Sequence, residues 1–336
     1  MAKLKMVIDD RQVRNAIVTG GAGFIGSHLL DALVTHFEKI YVIDNLVRTN
    51  NLRNIKHLMG NGAINKLLGN GIIEFINAEV STFDFVSYFK PEHNITHCFH
   101  LASTRINRIS QPEYNKEGHI FVADGGFNVV DYCAKNNIKL WFASTASVYN
   151  RPKRFPIEED DPCTPRTIYG AGKYYTENLI RSYDQMYNFD YAITRFFSVY
   201  GERMDNEGVY TEVIFNWFNN IAQGINDVII YGDPKEKIID MVHVEDVVQA
   251  ILLTTFIANK GTFNVSTQTG ISLHELVKVF EKITKTKLNV ITKPDPRTDV
   301  ENKRVGSIVR LKEIGWEQTV SLEEGLRRTW KWIQNS

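Results

Sequence analysis

Cysteine is scarce in this chain, with three residues among 336, at Cys98, Cys133 and Cys163. So odd and sparse a set supports no disulfide framework, and none of the three has metal-ligand spacing. Two sit in apolar segments, where a thiol behaves as a small hydrophobe. A surplus of one charge is missing as well. Lys+Arg and Asp+Glu both number 39, so no global field draws the chain to nucleic acid or to an anionic membrane. No apolar run reaches the ~20 residues of a membrane span; the longest, from Val247 to Ala258, is broken by Gln249, Thr254 and Thr255. The apolar stretch near the start is too short for a signal peptide. Low-complexity linkers, long charge runs and repeats are also lacking. These absences predict a soluble, cytoplasmic protein without metal, nucleic-acid partner or membrane partner, long enough for one large domain or two modest ones.

What is present is a glycine-rich run, Thr19-Gly20-Gly21-Ala22-Gly23-Phe24-Ile25-Gly26. It follows the apolar stretch Ala16-Ile17-Val18 and opens an amphipathic one from Phe24 to Phe37. Strand, glycine turn and helix in that order are the context a dinucleotide fingerprint requires. Gly20 permits the tight turn, Gly23 lets the backbone approach a pyrophosphate, and Gly26 allows close helix–strand packing. Amides at the start of the helix, at Phe24 and Ile25, then face the phosphates. A second strand, Lys39 to Ile43, ends in Asp44. An acid there accepts the adenine-side ribose hydroxyls and disfavours a 2′-phosphate, which predicts NAD rather than NADP.

Strand-like runs near 15–19, 39–43, 72–76, 95–101, 138–144 and 190–196 alternate with helical patterns near 24–37, 83–89, 119–136 and 167–187. Such alternation predicts βαβ units and a mostly parallel sheet, an α/β Rossmann-type doubly wound fold. The 45–70 stretch reads as a loop with one short helix. After residue 200 the pattern is less regular, with helices at 210–222, 244–258, 273–284 and 321–334 and strands near 228–230, 262–266 and 288–292. Ser272-Leu273-His274-Glu275 reads as a capping box. We expect residues 1–200 to form the NAD-binding domain, with 225–262 contributing, and residues 201–224 and 263–336 to form a smaller, mostly helical substrate-binding part.

Tyr169-Gly-Ala-Gly-Lys173 carries the chemistry. Four residues is about one helical turn, so the two side chains share a face. A free phenol titrates near ~10, and a nearby ammonium favours its ionised form, which makes Tyr169 a usable base. Upstream, Phe142-Ala143-Ser144-Thr145-Ala146-Ser147 ends a strand in hydroxyls, at the sheet edge where such folds bind ligands. Capping of the following turn is the ordinary role of such hydroxyls, and we assign it to Ser147 more than to Thr145. His97 and His100, in an apolar strand, fit core or cofactor-lining places better than metal sites.

Together these segments resemble the extended short-chain dehydrogenase/reductase family, in its nucleotide-sugar epimerase/dehydratase branch, over nearly the whole chain. Thr19–Gly26 resembles its TGxxGxxG, Asp44-Asn45-Leu46 its acidic strand end, and Ala78-Glu79-Val80 its Gly-Asp-Ile. His100-Leu101-Ala102-Ser103 is similar to HLAA, and Tyr169/Lys173 to YxxxK with Thr145 at its Ser/Thr position. Arg195-Phe-Phe-Ser-Val-Tyr-Gly201 resembles RxFNVYG, and Asp240 to Asp246 and Leu311 to Trp332 match the family's later pattern. The resemblance implies catalytic roles for Tyr169, Lys173 and Thr145. It implies cofactor contacts at Gly20, Gly23, Phe24, Ile25, Gly26, Asp44, Asn45, Glu79, Val80, Leu101, Ala102, Ser103, Ser144, Tyr169 and Lys173.

By that resemblance Tyr169 takes a proton from a sugar hydroxyl as hydride leaves the same carbon for NAD, giving a keto-sugar, while Thr145 steadies the oxygen. Dehydratases of the branch place Asp-Glu after the catalytic Thr and decarboxylases place a Glu there; here the positions hold Ala146 and Ser147. That favours C4 epimerisation of a nucleotide-diphosphate sugar. A 4,6-dehydratase, a uronate decarboxylase and a non-catalytic NAD-binding protein remain the alternatives. Departures from the pattern include Ser198 for an Asn, Ile239 for an Arg and Val122 for an Asn. Thr145, Ser198, Arg203 and Arg297 are the expected substrate contacts. The helices at 119–136 and 167–187 carry apolar residues on two sides (Phe121, Phe127, Val129, Val130; Tyr174, Leu179, Ile180, Tyr183), and the related enzymes pair them in a homodimer, which we expect here.

Overall fold

The first strand, β1 (Asn15–Thr19), shows how the sheet is built. Side chains alternate across a strand, so Ala16 and Val18 join one apolar cluster while Ile17 joins the other. In the computed structural model, which describes residues 14–47, 53–54, 71–103, 120–149, 152–204, 213–258, 260–295 and 302–335, the same division holds for the neighbouring strands. These are β2 (Lys39–Asp44), β3 (Ile73–Asn77), β4 (Ile95–His100), β5 (Lys139–Thr145), β6 (Tyr191–Phe196) and β10 (Gly261–Val265). They form a seven-stranded sheet of order β10-β6-β5-β4-β1-β2-β3, parallel at every pairing. Helices cover both faces. Helices α1 (Phe24–Leu33) and α6 (Val244–Phe256) bury leucines and valines on one side, and α3 (Gly125–Lys135) and α4 (Ile168–Tyr187) pack on the other. This is the Rossmann-type α/β architecture expected from the alternation.

Some elements differ from the sequence reading. Helix α1 stops at Leu33 because the Thr35 hydroxyl and His36 ring bond back to the Ala32 carbonyl, competing with the helical ladder. The 83–89 segment is the single turn α2 (Phe85–Tyr88), capped by the Asp84 carboxylate. The 119–136 helix begins as a π-turn over Ile120–Asp124 before α3. Of the 45–70 stretch, only 45–47 and 53–54 are among the described residues.

Beyond β6 lie β7 (Ser198–Tyr200), α5 (Val213–Ala222), β8 (Asp227–Tyr231) and β9 (Ile238–His243). After α6 and β10 come β11 (Gly270–Ser272), α7 (Leu273–Thr284), β12 (Asn289–Lys293), β13 (Lys303–Arg304), α8 (Val309–Glu313) and α9 (Leu322–Gln334). The capping box read at Ser272 and Glu275 starts α7. Of the 225–262 stretch, α6 packs on the large sheet and β10 completes its edge, whereas β8 pairs with β12 outside it. Strand β9 is the centre of a small sheet with β7, β11 and β13. Two buried carboxylates hold this part together. Asp240 accepts from Thr267 and the Gly306 amide, and Asp246 accepts from Thr319 and the Val320 amide. Trp217 and Phe218 are core residues of this part. Among the described residues no helix is long and apolar enough to cross a membrane.

Candidate active site

The strand order reverses between β1 and β4, the crevice where open α/β sheets bind ligands. Gly20 follows β1 with φ +71°, and a Cβ there would lie 2.6 Å from the Ala102 amide nitrogen, just after β4. A Cβ on Gly26 would lie 2.3 Å from the Gly20 carbonyl oxygen. Gly23 caps α1 without a side-chain acceptor, so first-turn amides of α1, including those of Phe24 and Ile25, are left facing outward for a phosphate. The Phe24 and Ile25 side chains pack into two different apolar clusters.

Asp44 is buried at the end of β2, where its carboxylate accepts from the Ala22 amide (3.1 Å) and the Leu46 amide (2.9 Å). The acid expected to meet a ribose thus also fixes the glycine loop. Asn45 donates to Glu79 (2.5 Å), which also accepts from Ser81, so both stand beside Asp44 at the sheet's edge. The Val80 side chain is buried, and its carbonyl accepts from Asn128. The amides of Leu101 and Ala102 donate to the Thr19 carbonyl and hydroxyl, which pins Ser103 and its neighbours next to Gly20. His100 bonds Thr19 through Nδ1 at 2.7 Å. Burial, then the Lys173 charge, lowers its pKa to about 3, so the ring stays neutral.

Tyr169 and Lys173 lie on the first turns of α4, whose N-cap is Thr167. Gly170 lets that turn press on the strand end, since a Cβ there would sit 2.5 Å from the Ser147 carbonyl oxygen. This brings the helix to Thr145, whose hydroxyl accepts from the Ser147 amide (3.1 Å) and keeps its proton for donation. Thr145, rather than Ser147, is therefore the cap of the Ala146–Val148 turn; its extended backbone points the hydroxyl back at that amide.

Lys173 is fully buried, with Nζ 4.8 Å from the Phe142 ring centroid and 6.0 Å from that of Tyr169. Burial lowers its pKa to about 7 against the opposing pull of Glu177. An ammonium at this place, beside Tyr169, suits the ribose hydroxyls of a dinucleotide, and with the glycine cradle and Asp44 the residues present fit NAD.

Sequence reasoning missed the anchor behind this group. Glu177 is wholly buried and accepts from Ser144 Oγ (2.5 Å), Arg195 Nε and Nη2 (2.9 and 2.7 Å) and Arg181 (2.9 Å). Burial pushes its carboxyl up, but the Arg195 bonds and charge outweigh this and hold it below the ordinary value. Ser144, read as a cofactor contact, gives its hydroxyl to Glu177 because the carboxylate needs every donor in reach. The four-residue spacing from Lys173 to Glu177 was the only signal in the sequence. Ser198 is half-buried on β7, in register with Met241. Arg203 pairs with Asp31 of α1 at 2.5 Å. Arg297 lies outside the described residues. Among the described residues no cluster of His, Cys, Asp or Glu could hold a metal.

Comparison with known proteins agrees with this geometry. The model of the NAD dependent epimerase/dehydratase family matches residues 16–266. A putative UDP-glucose 4-epimerase of Methanocaldococcus jannaschii is 30% identical over 324 residues, covering 95% of this chain and 98% of its own. UDP-glucuronic acid decarboxylase 1 of Arabidopsis thaliana is 28% identical, covering 93% of this chain and 68% of its own. The crystal structure of UDP-glucose 4-epimerase with UDP-glucose from Thermotoga maritima superposes with a TM-score of 0.83 at 29% identity, covering 96% and 99% of the two chains. With its glycine cradle, ribose-side acid and Tyr169–Lys173 pair, the chain belongs to the NAD-dependent epimerase/dehydratase family.

Proposed function

We propose that this protein interconverts C4 epimers of a nucleotide-diphosphate sugar through a 4-keto intermediate. The observation that carries this reading is the Tyr169–Lys173–Thr145 group with Ala146 and Ser147 beside it. Elimination and decarboxylation in this branch use a carboxylate there, and neither alanine nor serine does such acid–base work near neutral pH. Glu177, the acid nearest on α4, has its oxygens engaged by Ser144, Arg195 and Arg181 and stands behind Lys173 rather than free for substrate.

When bound, NAD supplies reversible two-electron acceptance at the sugar carbon. Tyr169 takes the proton from the C4 hydroxyl in one direction and returns it in the other, and Thr145 donates to the same oxygen as its charge grows. Lys173, when protonated, favours the ionised form of the phenol and holds the ribose side of the cofactor. Asp44 orients the adenine end, and Ser198 serves on the substrate side. Turnover then consumes no cofactor. Two exposed aromatics on neighbouring helices, Phe127 of α3 and Tyr175 of α4, support a homodimer across that face; sedimentation as a monomer at micromolar concentration overturns it. Three free cysteines, two of them buried, favour the reducing cytoplasm.

The test is incubation with UDP-glucose, UDP-N-acetylglucosamine and UDP-glucuronate without added reductant, with products assigned by NMR. An epimer at C4 supports the reading. Release of CO₂, or a 4-keto-6-deoxy product, replaces it with one of the lyase alternatives.

A further inference from the structure

The turn after β7 reaches back to the dinucleotide loop. Arg203 lies in that turn with φ +64° and only 9% exposure, a backbone state that persists in a non-glycine residue when its surroundings over-determine it. Those surroundings are visible. Arg203 Nη2 meets Asp31 of α1 at 2.5 Å. The Asn54 side-chain nitrogen donates to both the Arg203 carbonyl (3.4 Å) and the Ala22 carbonyl (3.1 Å). One residue earlier, the Glu202 carbonyl accepts from His28 Nε2 at 2.9 Å. Burial keeps the His28 ring neutral, so its single proton sits on the nitrogen facing that carbonyl. The Glu202 carboxylate meanwhile accepts from His243 and Arg328. The glycine loop is thus held at the Ala22 amide by Asp44 and at the Ala22 carbonyl by Asn54, while α1 is held one turn apart at His28 and Asp31.

We infer that Arg203 is a positioning residue of the cofactor site: with Asn54 and Glu202 it braces the glycine loop and α1, so that retention of NAD depends on a turn outside the dinucleotide motif. The sequence reading placed Arg203 among the substrate contacts; the inference assigns it a role on the cofactor side. Nη2 of the guanidinium pairs with Asp31, and Nη1 is buried with no partner among the described residues. The inference rests on the family's NAD dependence and not on the epimerase reading, so failure of the protein to epimerise leaves it untouched.

The experiment compares wild type with Asp31→Asn, Arg203→Ala and Arg203→Lys. NAD affinity is measured by titrating cofactor-stripped protein, and UDP affinity by titrating NAD-saturated protein. Asp31→Asn is near-isosteric at a partly exposed site, so it reports even where Arg203→Ala does not fold. The expected result is NAD affinity weakened about tenfold in Asp31→Asn and Arg203→Ala, largely restored in Arg203→Lys, with UDP affinity unchanged. Unaltered NAD affinity in Asp31→Asn overturns the inference, as does a loss that falls on UDP alone or on both ligands equally.

Discussion

At the residue scale a tight backbone constraint falls on Gly26, whose added methyl would sit 2.3 Å from the Gly20 carbonyl oxygen. Gly20 is held in place, because its own amide is bonded to the Ile43 carbonyl at 2.8 Å. Gly26→Ala should therefore lower stability by about 1–3 kcal/mol, the usual cost of overpacking, and abolish NAD binding; a thermal melt with and without NAD reads both. Tyr169 is constrained by chemistry rather than space. Tyr169→Phe keeps the ring but removes the oxygen, so turnover should fall by about 10²–10⁴, the share general acid–base catalysis contributes, while an NAD titration stays at the wild-type value. Both residues were legible in the sequence because a glycine turn and an i,i+4 pair are local patterns. Asn54 and Arg203 were not read as cofactor-site residues, because what they do depends on atoms far away in the chain.

At the scale of elements, the Arg195–Glu177 pair joins β6 to α4 and so sets where Tyr169 and Lys173 come to rest. Arg195 also donates to Tyr149 and the Glu159 carbonyl, and Asn264 of β10 accepts from Tyr149. Three strands and a helix share one buried polar network. Arg195→Met leaves a buried carboxylate without its two-pronged partner, with only Arg181 and Ser144 still bonded to it, which should cost about 3 kcal/mol in denaturant unfolding; adding Glu177→Leu to the same chain should recover part of that loss.

Elements that bury one face on their own periodicity were readable from sequence: the strands of the large sheet, and α3, α4, α6, α7 and α9. Strands β7, β11 and β13 were not, because two or three residues carry no period and only their register on β9 makes them strands. Of the apolar residues read as two-sided, Val129, Val130 and Ile180 belong to the chain's own core, whereas Phe127 is 47% exposed.

Over the whole molecule, buried histidines give stability a definite pH dependence. Burial lowers His28, His97 and His100 from 6.5 to about 3. The unfolded chain therefore takes up protons below ~6.5 that the folded chain refuses, and stability falls as pH drops through that window. Each such group contributes a slope of about 1.4 kcal/mol per pH unit between its two values. Glu202, held at about 2 by His243 and Arg328 against the opposing effect of burial, adds a loss of the same sign only below its ordinary 4.5. Melting temperature should thus decline from pH 6.5 to 5, before the carboxylates matter; a flat profile there would show the rings to be hydrated. The fold class was readable because alternation summed over many segments outweighs any one misread boundary. The assembly of the small sheet was not, since its partners come from four separate stretches.

Strand β10 closes the edge of the large sheet with residues synthesised some sixty positions after β6. On a ribosome, where chains emerge at about 5–20 residues per second, β6 must wait several seconds with its outer hydrogen-bonding groups unmatched. An uncovered strand of that kind recruits other polypeptides. A nonsense codon shortly after residue 200 would accordingly yield a sticky fragment for the proteases rather than a smaller cofactor-binding protein.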